Sequence, residues 1–280
     1  MKRIVLYLWL GVTLYAQEYP LGKLGEVVRL GEDILEHTDT NSLSKAYVNS
    51  KLQCINCHRK GKDGKAGTTD KIGTFIGTAT SFPAYSKRYD DIISLQNRID
   101  GCFLRCMGGT QSVVNTKVGI AVESYITWLS TGMDINMSAK APRTPLKIAM
   151  WSKNRKRFKS LLKKATHQNY LNGRKLYEDK CATCHGLEGK GLGNFPPLWG
   201  KDKEGHWLSY TTDGSMAKLP NAATWIKDNM PLGEPRTLSD EEVVDITLYI
   251  NAQERAIYNG VKIEDNFKKV GLKLQEIVTD

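Results

Sequence analysis

Histidine and cysteine are scarce in this sequence, and long apolar runs are almost absent. The 280 residues include only five histidines and six cysteines. Beyond residue 15 no run approaches the roughly 18 apolar residues of a spanning helix, and no segment alternates polar and apolar residues as a half-buried strand does. These absences argue against a membrane span in the mature protein and against an all-β fold. The sequence therefore predicts an all-α protein.

The N-terminus carries the pattern of an export signal. Lys2 and Arg3 precede an apolar segment at residues 4–15, and Ala16 stands before a polar stretch. About 12 apolar residues are too few to cross a bilayer, so we interpret residues 1–16 as a signal peptide cleaved near Ala16. A retained anchor is the alternative. Export predicts a periplasmic protein and argues against nucleic acid as a partner, despite the net charge of +10.

One short pattern, Cys-x-x-Cys-His, occurs twice. The two copies contain Cys54, Cys57 and His58, and Cys181, Cys184 and His185. Two thiols at this spacing add to the vinyl groups of one haem and aim the adjacent histidine at the iron. A zinc site is the alternative, but zinc patterns usually separate the histidine from the cysteine pair. The sequence therefore predicts two covalently bound haem c groups.

The two motifs divide the chain into halves. We expect an N-terminal cytochrome c domain at residues 17–140 and a C-terminal domain at 167–280, each with one haem. Prolines and a run of lysines and arginines mark residues 141–166 as a basic linker. Its charges are most simply a solvated connector or helix face, and docking to an acidic redox partner is the alternative.

The second half has the helical pattern of a class I cytochrome c. Residues 170–180 lead into the motif, and Ser239 with Glu242 forms a capping box that opens a helix. The first and last helices of such a domain cross, and Gly173 would let them approach near Tyr249. The fold prediction is therefore two class I cytochrome c-like domains in tandem.

The distal ligand of the second haem is predicted from its place in the chain. In class I domains a methionine in the loop before the last helix binds the iron. Met230 stands at that place and is our choice, with Met216 and His206 as competitors.

The first half has no equivalent methionine loop but has two further cysteines. Positions 92, 95, 99, 102, 103 and 106 share one face of a predicted helix, so Cys102 and Cys106 point towards the core. A distal thiolate ligand from Cys102, a disulfide between the two, and two buried free thiols remain open. Arg98 and Arg105 flank Cys102, where they would lower its pKa and could hold a small anion; surface charge is the simpler interpretation.

Three segments of the first half resemble the dihaem thiosulfate dehydrogenases, which couple two thiosulfates to tetrathionate. They are LQCINCH at residues 52–58, FPAY at 82–85 followed by Arg88, and NRIDGCFLR at 97–105. The resemblance, over roughly residues 20–255, implies that Cys102 is the distal ligand of the active-site haem, surrounded by Arg88, Arg98 and Arg105. Cys106 and Gly108 depart from the family's serine and asparagine, and Asn229 stands where some relatives have a lysine.

The resemblance implies a periplasmic thiosulfate:cytochrome c oxidoreductase that also works in reverse in some members. Its partners would be thiosulfate, tetrathionate and an external electron carrier such as a small cytochrome c. A dihaem electron-transfer cytochrome without a substrate of its own is one alternative, and an enzyme for another sulfur compound is a second. Cys106, one turn after Cys102, is a candidate for an auxiliary role.

Overall fold

The computed structural model describes residues 18–138 and 145–279 and is mostly helical, as predicted. Its α-helices in chain order are α1 (Gly22–Glu36), α2 (Cys54–Cys57), α3 (Leu95–Arg105), α4 (Lys117–Trp128), α5 (Pro145–Leu162), α6 (His167–Lys180), α7 (Ala182–His185), α8 (Leu219–Asn229), α9 (Asp240–Ala252), α10 (Ile263–Lys268) and α11 (Leu274–Val278). Within these two ranges no helix has the length and apolar character to cross a membrane. The predicted signal peptide, residues 1–16, and positions 141–144 of the predicted linker lie outside the described residues.

A small hairpin corrects the expectation that the chain has no strands. Strands β1 (Ala84–Ser86) and β2 (Asp91–Ile93) pair antiparallel, with Ala84 opposite Ile93. Strands of three residues are too short to show an alternating pattern in the sequence. The hairpin lies directly before α3, so Ile92 belongs to β2 and is exposed rather than part of a helix face.

Two pairs of helices cross at a glycine. In α6, an added Cβ on Gly173 would lie 2.0 Å from the carbonyl oxygen of Asp245 in α9. In α1, an added Cβ on Gly31 would lie 2.1 Å from the carbonyl oxygen of Ala121 in α4. The close approach predicted at Gly173 is confirmed, and the first half contains the same device at Gly31.

The ends of the long helices follow local chemistry. Ser239 Oγ accepts a hydrogen bond from the Glu242 amide, and the Glu242 carboxylate accepts one from the Ser239 amide at 2.7 Å. This confirms the predicted capping box at the start of α9. A second box formed by Ser94 and Asn97 opens α3, so that helix begins later than its apolar pattern indicates.

Two clusters of buried side chains form the core. The first packs around α1, α3 and α4, and the second packs around α6, α8 and α9. Phe158 and Leu162 of α5 are fully buried in the second cluster, whereas the lysines and arginines at residues 153–159 of this helix are exposed. Tyr210 and Ala217 come from the second half of the chain but pack into the first cluster, so the two halves share core contacts.

Candidate functional site

The first Cys-x-x-Cys-His motif forms the short helix α2. The side chain of Asn56 accepts a hydrogen bond from the Gln53 amide at 2.7 Å, which anchors the start of this turn. His58 follows, with its Nδ1 2.7 Å from the carbonyl oxygen of Gly73 and its ring stacked on Phe75 at a centroid distance of 4.0 Å. A backbone carbonyl at Nδ1 sets the tautomer and orientation that a metal-binding histidine requires.

The second motif is arranged in the same way. His185 ends α7, is buried, and has its Nδ1 2.8 Å from the carbonyl oxygen of Pro196. Burial lowers the pKa of His185 against the raising effect of that carbonyl. The imidazole is therefore held neutral, which is the form that binds a metal through Nε2.

A cavity of about 400 Å³ lies beside the second motif. Its wall includes Cys184, His185, Met230 and Met216. Cys57 of the first motif also lines it, so the two motifs face a common space. Met230 and Met216 are thus both placed near the second histidine, and Met230 remains our prediction for the distal ligand.

His206 has a different environment from the other candidates for that ligand. It is exposed, its Nδ1 lies 3.3 Å from the Asp202 carboxylate, and it is not among the residues that line the cavity. Asp202, Glu204 and His206 bring three ligand atoms within 4.8 Å of one another. Over the described parts of the chain, neither Cys-x-x-Cys-His motif belongs to such a group, which leaves the zinc interpretation without geometric support.

Cys102 lies in a strongly polar environment at the C-terminal end of α3. Arg98 donates a hydrogen bond from Nη1 to the Cys102 sulfur at 2.8 Å. The hydrogen bond from the Cys106 thiol and the positive charges of Arg98 and Arg105 hold the pKa of Cys102 well below its usual range, against the opposite effect of burial. By contrast, burial raises the pKa of Cys54 and Cys57 to about 12. Cys102 is therefore prepared as a thiolate, whereas the motif thiols are not.

Cys106 is the partner of that thiolate. It is the first residue after α3, and its amide donates to the Cys102 carbonyl oxygen at 3.0 Å. The hydrogen bond to Cys102 and burial raise the pKa of Cys106 well above its usual range. Both cysteines are free in the structure. Of the arrangements that the sequence left open, the structure has no disulfide between these two cysteines, and Cys102 as a distal haem ligand stays a prediction.

Arg88 and Arg105 both donate hydrogen bonds to Asp213. Arg88 donates from Nη1 to both oxygens of Asp213 at 3.3 Å, and Arg105 donates to the Asp213 carbonyl oxygen at 3.2 Å. The Nε of Arg105 is buried and has no hydrogen-bond partner among the described residues. Of the three arginines singled out in the sequence, Arg88 and Arg105 therefore lie at Asp213, and Arg98 lies at the Cys102 sulfur.

Lys218 and Asp213 are site residues that sequence reasoning missed. Lys218 Nζ lies 4.0 Å from the Asp213 carboxylate, and burial together with Arg88 lowers the pKa of Lys218 to about 8, while Asp213 opposes this shift. No motif marks either residue, because each belongs to the second half and meets the residues of the first half only through tertiary packing. Arg98 lies at the Cys102 sulfur, and Arg88, Arg105 and Lys218 surround Asp213, so positive charge is in excess and suits a small dianion.

Asn229 has a structural place next to Met230. It is buried, and its Nδ2 donates to the carbonyl oxygens of Ile72 at 3.3 Å and Trp225 at 3.1 Å. These contacts join the end of α8 to the loop after the first motif. A lysine at this position could bind iron in place of Met230 after losing its proton. The side-chain amide of Asn229 cannot do so, because its nitrogen is a hydrogen-bond donor only.

Comparisons with known proteins give one consistent result. The family model for cytochrome c matches residues 170–254. Thiosulfate dehydrogenase from Allochromatium vinosum is 31% identical over 245 residues, which cover 85% of this chain and 82% of that protein. Thiosulfate dehydrogenase from Stutzerimonas stutzeri is 30% identical over 262 residues, which cover 92% of this chain and 76% of that protein.

A solved structure extends the similarity to the fold. A thiosulfate dehydrogenase from Marichromatium purpuratum, in its "as isolated" form, matches with a TM-score of 0.63 and 30% identity. The match covers 85% of this chain and 48% of that chain, so the present chain spans about half the length of that protein.

Proposed function

The chain belongs to the thiosulfate dehydrogenase family, and from this premise we infer that it oxidises two thiosulfates to tetrathionate. Each reaction joins two sulfane sulfurs in one S–S bond and releases two electrons. The same site serves the reverse reaction, because forward and reverse reactions share one transition state. The observation that carries the proposal is the Cys102 thiolate, held by Arg98 at 2.8 Å within a cluster of cations.

The second half contains a cytochrome c domain, and the residues present fit covalent haem c. We infer two such groups, one in each of two tandem domains at residues 17–140 and 167–280. Cys54 and Cys57 would attach the first, between His58 and Cys102, and Cys181 and Cys184 the second, between His185 and Met230. The carbonyls at Nδ1 of both histidines and the cavity beside His185 support this assignment. When bound, haem c supplies one-electron acceptance, so two groups match a two-electron reaction.

The cations beside Cys102 would bind the substrate. Arg88 and Arg105 form planar hydrogen-bond donors that match a sulfonate group, and Lys218 adds a point charge. The buried Nε of Arg105, without a partner in the described regions, is a donor that an anion can satisfy. These side chains orient the sulfane sulfur of thiosulfate towards the Cys102 sulfur and neutralise the repulsion between two dianions.

A protein that only carries electrons has no use for this arrangement. Its haems would need saturated, inert ligands, and a thiolate with a lowered pKa beside excess positive charge would be a site of unwanted reactions. The arginine-flanked thiolate therefore favours an enzyme over a pure electron carrier. We further infer that an external periplasmic carrier, such as a small cytochrome c, receives the electrons from the Met230 side.

An anaerobic optical titration of the holoprotein with thiosulfate tests the function. We expect haem reduction and one tetrathionate for every two electrons, and we expect Cys102→Gly to abolish both. Arg98→Ala should reduce kcat/KM about tenfold to a hundredfold, because a hydrogen bond to a charged group contributes about 1.5–3 kcal/mol. Arg174→Ala, on the exposed face of α6, is the matched control and should have no effect.

The reverse experiment completes the test. Reduced holoprotein is mixed with tetrathionate, and thiosulfate formation is measured together with haem oxidation. If thiosulfate reduces neither haem, dithionite reduces both, and the reduced protein leaves tetrathionate unchanged, the chain is an electron carrier or an enzyme for another sulfur compound.

A further inference from the structure

Two cysteines of this chain stand outside the Cys-x-x-Cys-His motifs, and they are neighbours. Cys102 and Cys106 are one helical turn apart, and the Cys106 amide donates a hydrogen bond to the Cys102 carbonyl oxygen at 3.0 Å. The proposed function uses Cys102 and gives no task to Cys106. A second thiol beside a nucleophilic thiolate is the arrangement in which one cysteine resolves an adduct formed on the other.

We propose that Cys106 is a further catalytic residue, which resolves a thiosulfonate adduct on Cys102 and makes the two cysteines a dithiol that reduces tetrathionate. The proposal rests on the proposed function, because it assigns tetrathionate to the same site.

The reaction has two steps, and both balance. In the first, the Cys102 thiolate attacks a central sulfur of tetrathionate; the central S–S bond breaks, one thiosulfate leaves, and Cys102 carries an S–S–SO₃⁻ group. In the second, Cys106 loses its proton to solvent and attacks the Cys102 sulfur. The bond between Cys102 and the adduct breaks, the second thiosulfate leaves, and a Cys102–Cys106 disulfide forms. Two thiols lose two electrons, and one tetrathionate gains them.

The positive charges of the site favour the departure of thiosulfate in both steps. Each leaving group is a dianion, and Arg98 contacts the sulfur at which both exchanges occur. Arg105 and Lys218 lie beside it around Asp213. Positive charge next to the leaving group stabilises the charge that develops on it as the S–S bond breaks.

The backbone after α3 allows Cys106 to approach Cys102 in the second step. On a regular helix, residues four apart have Cβ atoms about 5–6 Å apart, whereas a disulfide needs about 3.5–4.5 Å. Cys106 is the C-cap residue of α3, where it keeps helical dihedral angles and one helical hydrogen bond from its amide to the Cys102 carbonyl oxygen, and Gly108, with φ of +72°, and Gly109 follow it. The Cys106 carbonyl accepts one hydrogen bond from the Thr211 amide at 3.1 Å. A local unwinding of this turn therefore closes the gap, and the strain makes the disulfide easy to reduce again.

A stoichiometric reaction with the ferric holoprotein tests the proposal. Ferric haem cannot donate electrons, so all reducing equivalents must come from the two thiols. Excess tetrathionate is added without an electron donor, released thiosulfate is counted per chain, and the peptide containing both cysteines is examined by mass spectrometry. We expect two thiosulfates per chain and a peptide with an internal disulfide.

The matched variant is Cys106→Ser, which introduces the family's usual residue at this position. It should release one thiosulfate per chain and retain the adduct on Cys102, while Cys102→Ser releases none. If the wild type also releases one thiosulfate and retains the adduct with Cys106 as a free thiol, the proposal is overturned and the proposed function stands. If the wild type forms neither adduct nor disulfide, the proposal is also overturned, and the titration with thiosulfate decides the proposed function separately.

Discussion

Lys218 shows how one partly buried side chain adjusts an anion site. Its pKa of about 8 results from burial and from the neighbouring Arg88 and Arg105, with Asp213 acting in the opposite direction. Below pH 8 the ammonium group is charged, and as the pH rises through 8 the charge is lost. Bound dianion favours the charged form, so anion affinity and Lys218 protonation are linked.

The KM for thiosulfate should therefore rise about tenfold between pH 7 and pH 9.5, because one charged contact of about 1.5 kcal/mol is lost. Lys218→Arg keeps its charge and should make KM independent of pH over this range. Lys218→Met should give the higher KM at every pH. Steady-state kinetics of the three proteins measure this, and a flat wild-type profile would remove Lys218 from the substrate site.

Met230 and Met216 both line the cavity beside His185, but Met230 packs against the second core cluster and Met216 against the first, which favours Met230 as the ligand. A thioether ligand raises the potential of haem iron. Met230→Ala should therefore lower the potential of the second haem and remove the iron–sulfur absorption band, while Met216→Ala leaves both unchanged. Spectroelectrochemistry of the two variants measures the difference, and the opposite pattern would assign Met216 as the ligand.

At the scale of secondary-structure elements, two helix crossings support the frame that holds the motifs. Gly31 and Gly173 each let one helix approach the backbone of another, and an added methyl group would lie about 2 Å from a carbonyl oxygen. The helices would have to separate to accommodate a side chain.

Gly31→Ala and Gly173→Ala should each lower the free energy of unfolding by about 1–3 kcal/mol, as overpacked substitutions do. Lys175→Ala on the exposed face of α6 is the control and should change it by less than about 0.5 kcal/mol. Urea unfolding of the holoprotein, followed by circular dichroism, measures all three. Equal stability of Gly173→Ala and the control would show that α6 and α9 do not need this approach.

At the scale of the whole molecule, contacts between the two halves assemble the site. The Trp225 indole donates to the Cys57 carbonyl oxygen at 3.2 Å, and the Asp228 carboxylate accepts from the Ile72 amide at 2.8 Å. These contacts join α8 to the first motif and to the loop after it. The Arg105 hydrogen bond to the Asp213 carbonyl oxygen at 3.2 Å joins the segment containing Asp213 to the end of α3.

Without the predicted signal peptide, which contains Lys2 and Arg3, the chain has a net charge of +8, which should attract a dianionic substrate over long distances. The kcat/KM for thiosulfate should fall about three- to tenfold between about 10 mM and 300 mM salt, because the Debye length shortens from about 30 Å to under 8 Å. Stopped-flow reduction at several salt concentrations measures this. Reduction by a neutral donor is the control, and equal salt dependence for both would exclude steering by charge.

Local patterns in the sequence predicted the features that depend on neighbouring residues. The spacing within Cys54–Cys57 and its copy, the capping box at Ser239 and the glycine of α6 are local patterns, and the structure contains each of them. The position of Arg98 one turn before Cys102 likewise placed a cation on the sulfur.

Tertiary structure alone decided the features that join distant residues. Asp213 and Lys218 carry no motif, and they reach Arg88 only because the segment containing Tyr210 packs into the first core. The hairpin before α3 is too short to leave a pattern, and α5 is anchored by two buried side chains within a basic stretch. Periodicity and spacing predict the helix to which a residue belongs and the face on which it lies. The neutralisation of charge across a site instead depends on which surfaces meet when the chain folds.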